Sequence, residues 1–471
     1  HGHPRIDSLP FDSRHKFMAT LHHDHRGHRL ICLKGAPEQV LARCDRQFTR
    51  HGEQPLEGAR WHAAIEAIAA QGQRVLALAM HRTPNPIDNL SAQTLTTPLC
   101  FVGLVGLIDP PRDEAIAAVA ECQQAGIRVK MITGDHGTTA QAIARQLGLA
   151  STERVLTGQD LDALPAADWA GTVTQVDVFA RTTPEHKLRL VETLQANGNV
   201  VAMTGDGVND APALKRADVG VAMGGKGTDT AREASEMVLT DDNFASIVAA
   251  VHEGRTVYDN LRKAITFLLP INGGESLSII LAILIGLSLP IEPLQILWVN
   301  MVSSIGLALA LAFEPAEPGV MRRPPRDPLA PLLSRFLLWR ILLVSVLFTL
   351  GIFGTYQGAL LWGYAEDTAR TLAVNTLVAM EVGYLFSVRY LHRGSFSLQG
   401  IMGTRPVLLA LMSVVLAQLT FTYVPFMNQG FNSAPLSLPV LMISVGLGAA
   451  VFILLELEKM VLRTGVGRRR V

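Results

Sequence analysis

Two aspartates, Asp206 and Asp210, lie four residues apart in the segment 203–215, which reads MTGDGVNDAPALK. The apolar run 200–203 before them is typical of a buried parallel strand, and Pro212 can open a helix after the turn. Mg²⁺ prefers one or two carboxylates together with water and phosphate oxygens, and the N–H groups of such a turn suit a phosphoryl group. The segment therefore predicts metal-assisted phosphoryl transfer.

Strand-like and helical runs alternate between residues 100 and 240, which is typical of a doubly wound α/β domain. We predict strands at 101–108, 128–132, 176–180, 200–203 and 219–222, and helices at 114–125 and 138–147. Ligands bind at the carboxyl ends of such strands. Three loops should meet there: Thr133-Gly134-Asp135, the helix start that carries Lys187, and the turn with the two aspartates. The first can hold a phosphoryl oxygen, and the lysine can neutralise its charge.

Residues 1–106 are predicted to form a separate α+β unit. Its segments 11–16, 34–38 and 73–79 combine an aromatic ring, lysines and arginines that could hold an adenine ring and phosphates, although a solvated basic face is the simpler interpretation. The histidine-rich stretch 22–28 favours a polar hairpin turn over a metal site.

The chain balances 41 Lys and Arg against 41 Asp and Glu among its 471 residues, so its bulk charge favours no nucleic-acid partner. Four cysteines, with no CxxC pair, fit a reducing compartment and argue against a disulfide framework. The chain begins with His1 in polar sequence, and no signal peptide opens it, which suggests a start inside a larger protein.

Long apolar runs fill the second half of the chain. Six segments have the length of a bilayer span: 264–289, 293–313, 335–358, 371–391, 406–426 and 436–457. Basic clusters precede the first segment, follow the second, the fourth and the sixth, and therefore fall on one side of the membrane. The positive-inside rule places both ends of this half in the cytosol.

Polar residues interrupt the spans. They are Asn272 and Glu275 in the first, Asn300, Ser303 and Ser304 in the second, Glu381 in the fourth and Gln418 in the fifth. Intramembrane carboxylates are costly and mark functional sites, although hydrogen bonds that stabilise the bundle are the alternative. Pro270, Gly273 and Gly274 are expected to loosen the first helix and free carbonyl groups as ligands.

Several motifs occur in an order that identifies a family. They are KGAPE at 34–38, DPPR at 109–112, MITGDH at 131–136, FARTTPEHK at 179–187, TGDGVNDAPALK at 204–215, WVN at 298–300 and RRPPR at 322–326. On the basis of these motifs, the chain resembles the C-terminal part of a P-type cation-transporting ATPase of the P2, calcium-pump-like class. The resemblance extends over nearly the whole chain. The resemblance implies a partial nucleotide-binding domain at 1–106, a HAD-like phosphorylation domain at 107–255 and membrane helices five to ten of the family at 256–471.

The resemblance also implies residue roles. Phe11, Lys16, Lys34 and Arg74 match positions that contact ATP, and Asp109 and Arg112 match the hinge between the cytosolic domains. Thr133, Gly134, Asp135, Arg181, Lys187 and Asn209 match the phosphoryl site, and Asp206 and Asp210 match its Mg²⁺ site. Asn272, Glu275, Asn300, Ser303, Ser304 and Glu381 match positions around the transported cation. The implied partners are the lipid bilayer, ATP, the cation and an N-terminal part of the same polypeptide, in a bacterial plasma membrane.

Two departures from the family pattern are visible. The sequence lacks DKTGT, whose aspartate carries the phosphoryl group in the family, so we expect this chain alone to be inactive. Ser304 stands where the calcium-pump pattern has an aspartate, which removes a charge from the cation shell. Ca²⁺ remains the leading cargo, with Na⁺, K⁺, H⁺ or Mg²⁺ as alternatives.

Two other protein classes remain open at this point. One is a soluble-type phosphohydrolase fused to a membrane anchor, which a flexible Gly/Ser/Pro linker would favour. The other is a channel or scaffold whose cytosolic half only binds nucleotide. A predicted helix over 243–263, continuous with the first span, favours coupling between the halves and therefore the pump.

Overall fold

A computed structural model describes residues 3–12, 15–25, 27–83, 89–91, 95, 98–107, 110–390 and 403–466. The chain divides into two compact units, His1–Ala249 with Met321–Pro325 and Ala250–Val320 with Arg326–Val471. Asp109, expected at a hinge, lies outside the described residues.

A seven-stranded sheet forms the first part of the N-terminal unit. Its strands are β1 (Arg5–Asp12), β2 (Phe17–His23), β3 (Arg29–Gly35), β4 (Cys44–Thr49), β5 (Gly52–Pro55), β6 (Arg74–Thr83) and β7 (Leu99–Leu107), in the order β1-β2-β3-β6-β7-β4-β5. Helices α1 (Pro37–Leu41) and α2 (Gly58–Ala69) accompany it. Alternate side chains of β2, Phe17, Ala19 and Leu21, are buried, which is the period-two pattern of a half-buried strand.

Two predictions are tested by this sheet. The hairpin expected at 22–28 is confirmed, because β2 and β3 pair antiparallel on either side of it and Asp24 accepts hydrogen bonds from His28. The assignment of the strand 101–108 to the α/β domain is wrong. β7 pairs with β6 and β4, so it completes the N-terminal sheet instead.

The second part of this unit is an α/β domain. Its parallel strands are β8 (Met131–Thr133), β9 (Val155–Thr157), β10 (Val178–Ala180), β11 (Ala202–Gly205), β12 (Val219–Met223) and β13 (Met237–Leu239), which form the sheets β8-β10-β9 and β11-β12-β13. Its helices are α3 (Asp113–Gln124), α4 (Gly137–Gln146), α5 (Gly158–Ala163), α6 (Trp169–Gln175), α7 (Pro184–Ala196), α8 (Ala211–Arg216) and α9 (Asp229–Ala234). The predicted alternation of strands and helices is confirmed.

Shared apolar contacts bring the two parallel sheets together. Ile132 of β8 and Leu194 of α7 pack against the cluster that contains Met203 of β11 and also against the cluster that contains Phe179 of β10. The residues that follow Ile132, Phe179 and Met203 along the chain are those predicted to form the site, so this core positions their loops.

The second unit is a helical bundle. Its helices are α10 (Ala245–Ile285), α11 (Pro293–Val299), α12 (Ile305–Ala312), α13 (Arg335–Leu361), α14 (Glu366–Val388), α15 (Arg405–Tyr423), α16 (Pro425–Phe431) and α17 (Leu438–Val466). A π-helical segment, Asn300–Ser304, joins α11 to α12. Within the described residues, six segments are long and apolar enough to cross a membrane, as predicted. The helix expected at 243–263 forms the first part of α10.

Helix α14 is the centre of the bundle, because 83% of the residues in its most apolar stretch are buried, compared with 22–44% in the corresponding stretches of the other five segments. It packs most extensively against α17 and α13. Gly383 of α14 faces the carbonyl group of Gly448 of α17, and a Cβ on either glycine would collide with the other helix. Small residues that allow such close backbone approach are typical of membrane helix interfaces.

Helix α10 continues through Pro270, contrary to the expected loosening. Proline has no N–H group, so the carbonyl of Thr266 loses its helical partner, but the Tyr384 hydroxyl donates a hydrogen bond of 2.7 Å to it. Ser345 and Thr349 of α13 likewise donate to the carbonyl groups of Pro270 and Gly274. Neighbouring side chains thus occupy the carbonyl groups that we expected to serve as ligands.

Candidate functional site

The turn after β11 holds its two aspartates in different environments. Asp210 is buried, and its Oδ1 accepts a hydrogen bond of 2.6 Å from Nζ of Lys187. Its Oδ2 accepts from the N–H groups of Asp206 and Gly207, at 3.4 and 3.2 Å. Asp206 is exposed. A Cβ at Gly205 would lie 2.5 Å from the Cβ of Asp210, so the turn requires glycine there.

The N-terminus of α7 positions Lys187. Thr183 and His186 form a capping box, and Pro184 occupies the first turn, where its missing N–H is tolerated. Lys187 lies in this first turn with 18% of its side chain exposed, directed to Asp210. The N–H of Thr182, just before the helix, bonds to the Thr133 carbonyl. One short segment therefore connects the loop after β8 with the turn after β11.

The loop after β8 is organised by its own side chains. The hydroxyl of Thr133 donates to Asp135 Oδ2 at 3.1 Å and accepts from the Asp135 N–H at 3.1 Å. Gly134 between them faces open space. Nε of Arg74 lies 3.7 Å from Asp135 Oδ1, which brings a residue predicted to bind nucleotide to this loop.

Arg181 adopts a left-handed backbone conformation, with φ of 51°, in the loop after β10. Its Nη1 donates a hydrogen bond of 2.6 Å to Oε1 of Glu38, at the start of α1. Burial raises the pKa of Glu38, but the hydrogen bond and charge of Arg181, a backbone hydrogen bond and the charge of Lys16 together outweigh it and hold the pKa below its ordinary value. The pair joins the N-terminal sheet region to the loops of the α/β domain.

The four residues expected to bind nucleotide are accessible. Phe11 is 60% exposed, and Lys16, Lys34 and Arg74 are also exposed. Lys34 of β3 pairs across the sheet with Met18 of β2, and the carbonyl of Lys16, just before β2, accepts a hydrogen bond from the N–H of Ala36, so the two lysines lie close to each other along the chain ends of β2 and β3. Their exposed side chains are within reach of an anionic ligand from solvent.

Asp242 is a supporting residue that the sequence reasoning missed. It accepts hydrogen bonds from the N–H groups of Gly225 and Lys226, at 2.9 and 2.8 Å, and that from Gly225 is the main cause that lowers the pKa of the Asp242 carboxyl. The same loop continues to Thr228, whose N–H bonds to the Asp206 carbonyl at 2.8 Å. Asp242 adopts a positive φ of 51° in this turn, and the hydrophobic periodicity of the sequence does not reveal such a conformation.

The bundle buries a second candidate site around the π-helical segment. Nδ2 of Asn300 donates to Glu275 Oε2 at 3.0 Å, and the Ser304 hydroxyl donates to Glu381 Oε1 at 2.9 Å. Glu275 and Glu381 are buried, and the remaining oxygen of each, Oε1 and Oε2 respectively, has no hydrogen-bond partner. Buried carboxylate oxygens without a donor are suited to a cation or a proton.

Two predicted members of this site differ in their placement. Ser303 is buried there, but its hydroxyl donates to the Val299 carbonyl of its own helix. Asn272 is exposed, and the structure does not bring it into the cluster with Glu275. A spacing of three residues leaves about 60° between two side chains around a helix, and here the bundle covers only one of them.

Comparisons with known proteins agree with this architecture. Three family models match segments of the chain: cation transporting ATPase, C-terminus, at 288–461; P-type ATPase, cytoplasmic domain N, at 1–114; and haloacid dehalogenase-like hydrolase at 187–251. A cation-transporting ATPase, pma1, of Synechocystis sp. is 48% identical over 92% of this chain and 48% of its own length. A probable cation-transporting ATPase F of Mycobacterium tuberculosis is 47% identical over 93% and 49%.

A protein named calcium-transporting ATPase in Bacillus subtilis is 38% identical over 94% of this chain and 50% of its own length. The chain thus spans about half the length of the curated relatives it matches.

A haloacid dehalogenase-like α/β domain, joined to a bundle whose described residues include six segments long and apolar enough to cross a membrane, defines an integral, multi-pass membrane protein. The chain belongs to the P-type cation-transporting ATPases.

Proposed function

We propose that this chain is the C-terminal part of an ATP-driven cation pump that works through an aspartyl phosphate, with Ca²⁺ as its leading cargo. The observation that carries the proposal is the buried pair of carboxylates, Glu275 and Glu381, each with one unpaired oxygen beside a π-helical segment. Short π-helical segments occur frequently at functional sites. A structural bundle has no need of two such carboxylates, because unpaired buried oxygens only destabilise it.

The cytosolic loops supply the proposed phosphoryl site. The exposed carboxylate of Asp206 fits Mg²⁺, which offsets phosphoryl charge when it is bound. Lys187 is held by Asp210 near that carboxylate, where it can contact a phosphoryl oxygen. Thr133, Gly134 and Asn209 offer hydroxyl, backbone and amide groups from the adjoining loops. The phosphorylated aspartate would belong to a longer polypeptide, since this sequence has no DKTGT.

ATP is the proposed phosphoryl donor. The exposed ring of Phe11 can stack on adenine, and the charges of Lys16, Lys34 and Arg74 can pair with phosphates. Asp135 and Arg181 contact the N-terminal region through Arg74 and Glu38, so the two lobes could close around a nucleotide.

The donor set of the bundle favours a divalent cargo. When a bound cation ionises them, Glu275 and Glu381 supply two negative charges, which match one Ca²⁺, and Asn300 and Ser304 add neutral oxygens. The calcium-transporting relative in Bacillus subtilis supports this assignment. A monovalent cargo is the second candidate, because Ser304 replaces an aspartate of the calcium-pump pattern.

The proposal is tested with the longest polypeptide that the gene encodes, reconstituted in vesicles, with ⁴⁵Ca²⁺, ²²Na⁺ and ⁸⁶Rb⁺ compared as cargo. We expect ATP-dependent ⁴⁵Ca²⁺ uptake, which Glu275→Gln and Glu381→Gln abolish. Ser413→Ala, which changes an exposed hydroxyl on α15, is the matched control and should transport normally. Uptake that survives both glutamate substitutions would refute the proposed cation site.

We also propose that both ends of the bundle face the cytosol of a bacterial cell. The basic residues Arg255, Arg262 and Lys263, in the part of α10 that precedes the span 264–289, and those of the segment 322–326 after α12 support this orientation by the positive-inside rule. A protease site placed after residue 466 should be cut in inside-out vesicles and protected in intact cells. Cleavage in intact cells would contradict the orientation.

A further inference from the structure

Gln418 lies in the C-terminal half of α15, and the proposed cation site does not account for it. Its Nε2 is buried and has no hydrogen-bond partner. A bundle-stabilising hydrogen bond, the simplest role for a glutamine in a membrane helix, would have given this amide a partner. The neighbouring Asn375 and Thr422 show that role, since they bond to each other at 3.0 Å.

Two contacts fix the depth of Gln418 in the bundle. The bond between Asn375 and Thr422 serves as the reference depth. Glu381 lies six residues after Asn375 on α14, or about 9 Å along the helix axis at 1.5 Å per residue. Gln418 lies four residues before Thr422 on α15, or about 6 Å in the same direction, because consecutive spans run oppositely. Gln418 and Glu381 are therefore at similar depths.

The second contact lies on the other side. Val414 of α15 packs against Gly306 of α12, just after the π-helical segment. Gln418 lies one helical turn after Val414 on α15. Because α12 runs opposite to α15, the same depth is reached one turn before Gly306, within the segment 300–304. Ser304 of that segment bonds to Glu381. Three elements, α14, α15 and the π-helical segment, thus meet at one depth.

Three buried polar atoms without hydrogen-bond partners belong to helices that contact this region of the bundle. They are Oε1 of Glu275, Oε2 of Glu381 and Nε2 of Gln418, on three different helices around the same segment. Glu381 is fully buried, and Glu275 is 5% exposed, so neither oxygen is satisfied by bulk solvent. A cation bound between the helices would satisfy the two carboxylate oxygens.

We propose that Gln418 is an additional member of the cation site and coordinates the cation through its amide oxygen. A half-turn about the last side-chain bond exchanges Oε1 with Nε2, and the torsion there is soft. Side-chain amide oxygens are common ligands of Ca²⁺, which takes six to eight oxygens. Gln418 adds a neutral ligand opposite Ser304, where a hydroxyl stands in place of a carboxylate.

The inference rests on the proposed function and is tested by equilibrium ⁴⁵Ca²⁺ binding to the gene's longest polypeptide in lipid nanodiscs. Gln418→Leu should weaken Ca²⁺ binding by about tenfold or more, because a ligand is lost. Gln418→Glu should tighten Ca²⁺ binding relative to Na⁺, because affinity for dications rises with carboxylate count. Gln357→Leu, the same change on α13, is the matched control and should bind as the wild type does.

Thermal unfolding in EGTA separates coordination from packing. If Gln418→Leu lowers the melting temperature in EGTA but leaves the Kd for Ca²⁺ unchanged, Gln418 has a structural role and the inference is overturned. If Glu381→Gln loses binding while Gln418→Leu retains it, only the inference fails. If Glu381→Gln also binds normally, or the wild type binds neither ⁴⁵Ca²⁺ nor ²²Na⁺, the proposed cation site itself is wrong. Should ²²Na⁺ alone bind, the same variants are compared with that probe.

Discussion

The hydrogen bonds around Asp210 assign different roles to the two aspartates of the turn at 203–215. Both oxygens of Asp210 are engaged, by Lys187 and by two backbone N–H groups, whereas Asp206 is exposed. We expect Asp206→Asn to raise the Mg²⁺ concentration for half-maximal activity by about 100-fold. Asp210→Asn should raise it by only about tenfold, the low end of the range for groups that support a metal ligand without touching the metal.

The stability effects should have the opposite order. Lys187 and Asp210 form a mostly buried pair at 2.6 Å, with 18% and 9% of their side chains exposed. Removal of one partner from a buried pair costs about 3–5 kcal/mol, and Asn keeps an acceptor oxygen, so about 3 kcal/mol is expected. For a unit of this size that corresponds to a melting temperature lower by about 6–12 °C. Asp206→Asn should leave the melting temperature unchanged.

The assay compares the Mg²⁺ dependence of phosphoenzyme formation with thermal unfolding in the absence of Mg²⁺, both on the gene's longest polypeptide. Glu233→Gln, which removes one exposed carboxylate from α9, is the control and should change neither quantity. The reasoning is refuted if Asp210→Asn shifts the Mg²⁺ dependence as far as Asp206→Asn does, with no loss of thermal stability.

Three further variants or conditions concern the membrane bundle, the Glu38–Arg181 pair and the chain alone. Arg389→Met leaves Glu314 buried without its 2.9 Å partner and should lower the free energy of unfolding by about 3–5 kcal/mol. Adding Glu314→Leu should restore most of it in detergent melts, and a double variant no more stable than the single one would contradict this. Because the pKa of Glu38 is lower in the folded than in the unfolded protein, its pair with Arg181 stabilises above the unfolded value, about 4.3, and is lost as the pH falls through the folded value. The melting-temperature difference between wild type and Glu38→Gln should therefore shrink from about pH 7 towards about pH 3, and a constant difference would argue against the pair. The chain alone, incubated with γ-labelled ATP, should form no acid-stable phosphoenzyme, and a labelled band would show that another residue is phosphorylated.

Local patterns predicted the elements well wherever the partner of an element is near in sequence. The apolar run before Asp206 is a strand, and the six apolar segments are helices, because burial of a short run depends mainly on its own composition. The pairing of β7 was misjudged because its neighbours, β6 and β4, are chosen by long-range contacts that a single run does not encode.

The site was predicted less completely, because residue types do not reveal which atoms are already engaged. The three-residue spacing of Asn272 and Glu275 predicted that both face the bundle, yet only Glu275 is buried there. Pro270 predicted free carbonyl groups, but Tyr384, more than a hundred residues away, occupies the one that proline releases. Asp242 has no motif partner nearby, and its role follows only from the loop that folds onto it.

The central position of α14 has a consequence for how the protein is made. It is the least hydrophobic of the six spanning segments and the most buried, so its polar side chains Asn375, Thr376 and Glu381 are covered by other helices instead of lipid. Thr376 bonds to Ser444 of α17, which is synthesised after α14. A ribosome that has completed α14 has therefore inserted a segment whose partner does not yet exist. Chains that terminate before Leu438 should be degraded as membrane proteins with an exposed polar helix, and pulse-chase stability equal to that of the full chain would contradict this order of assembly.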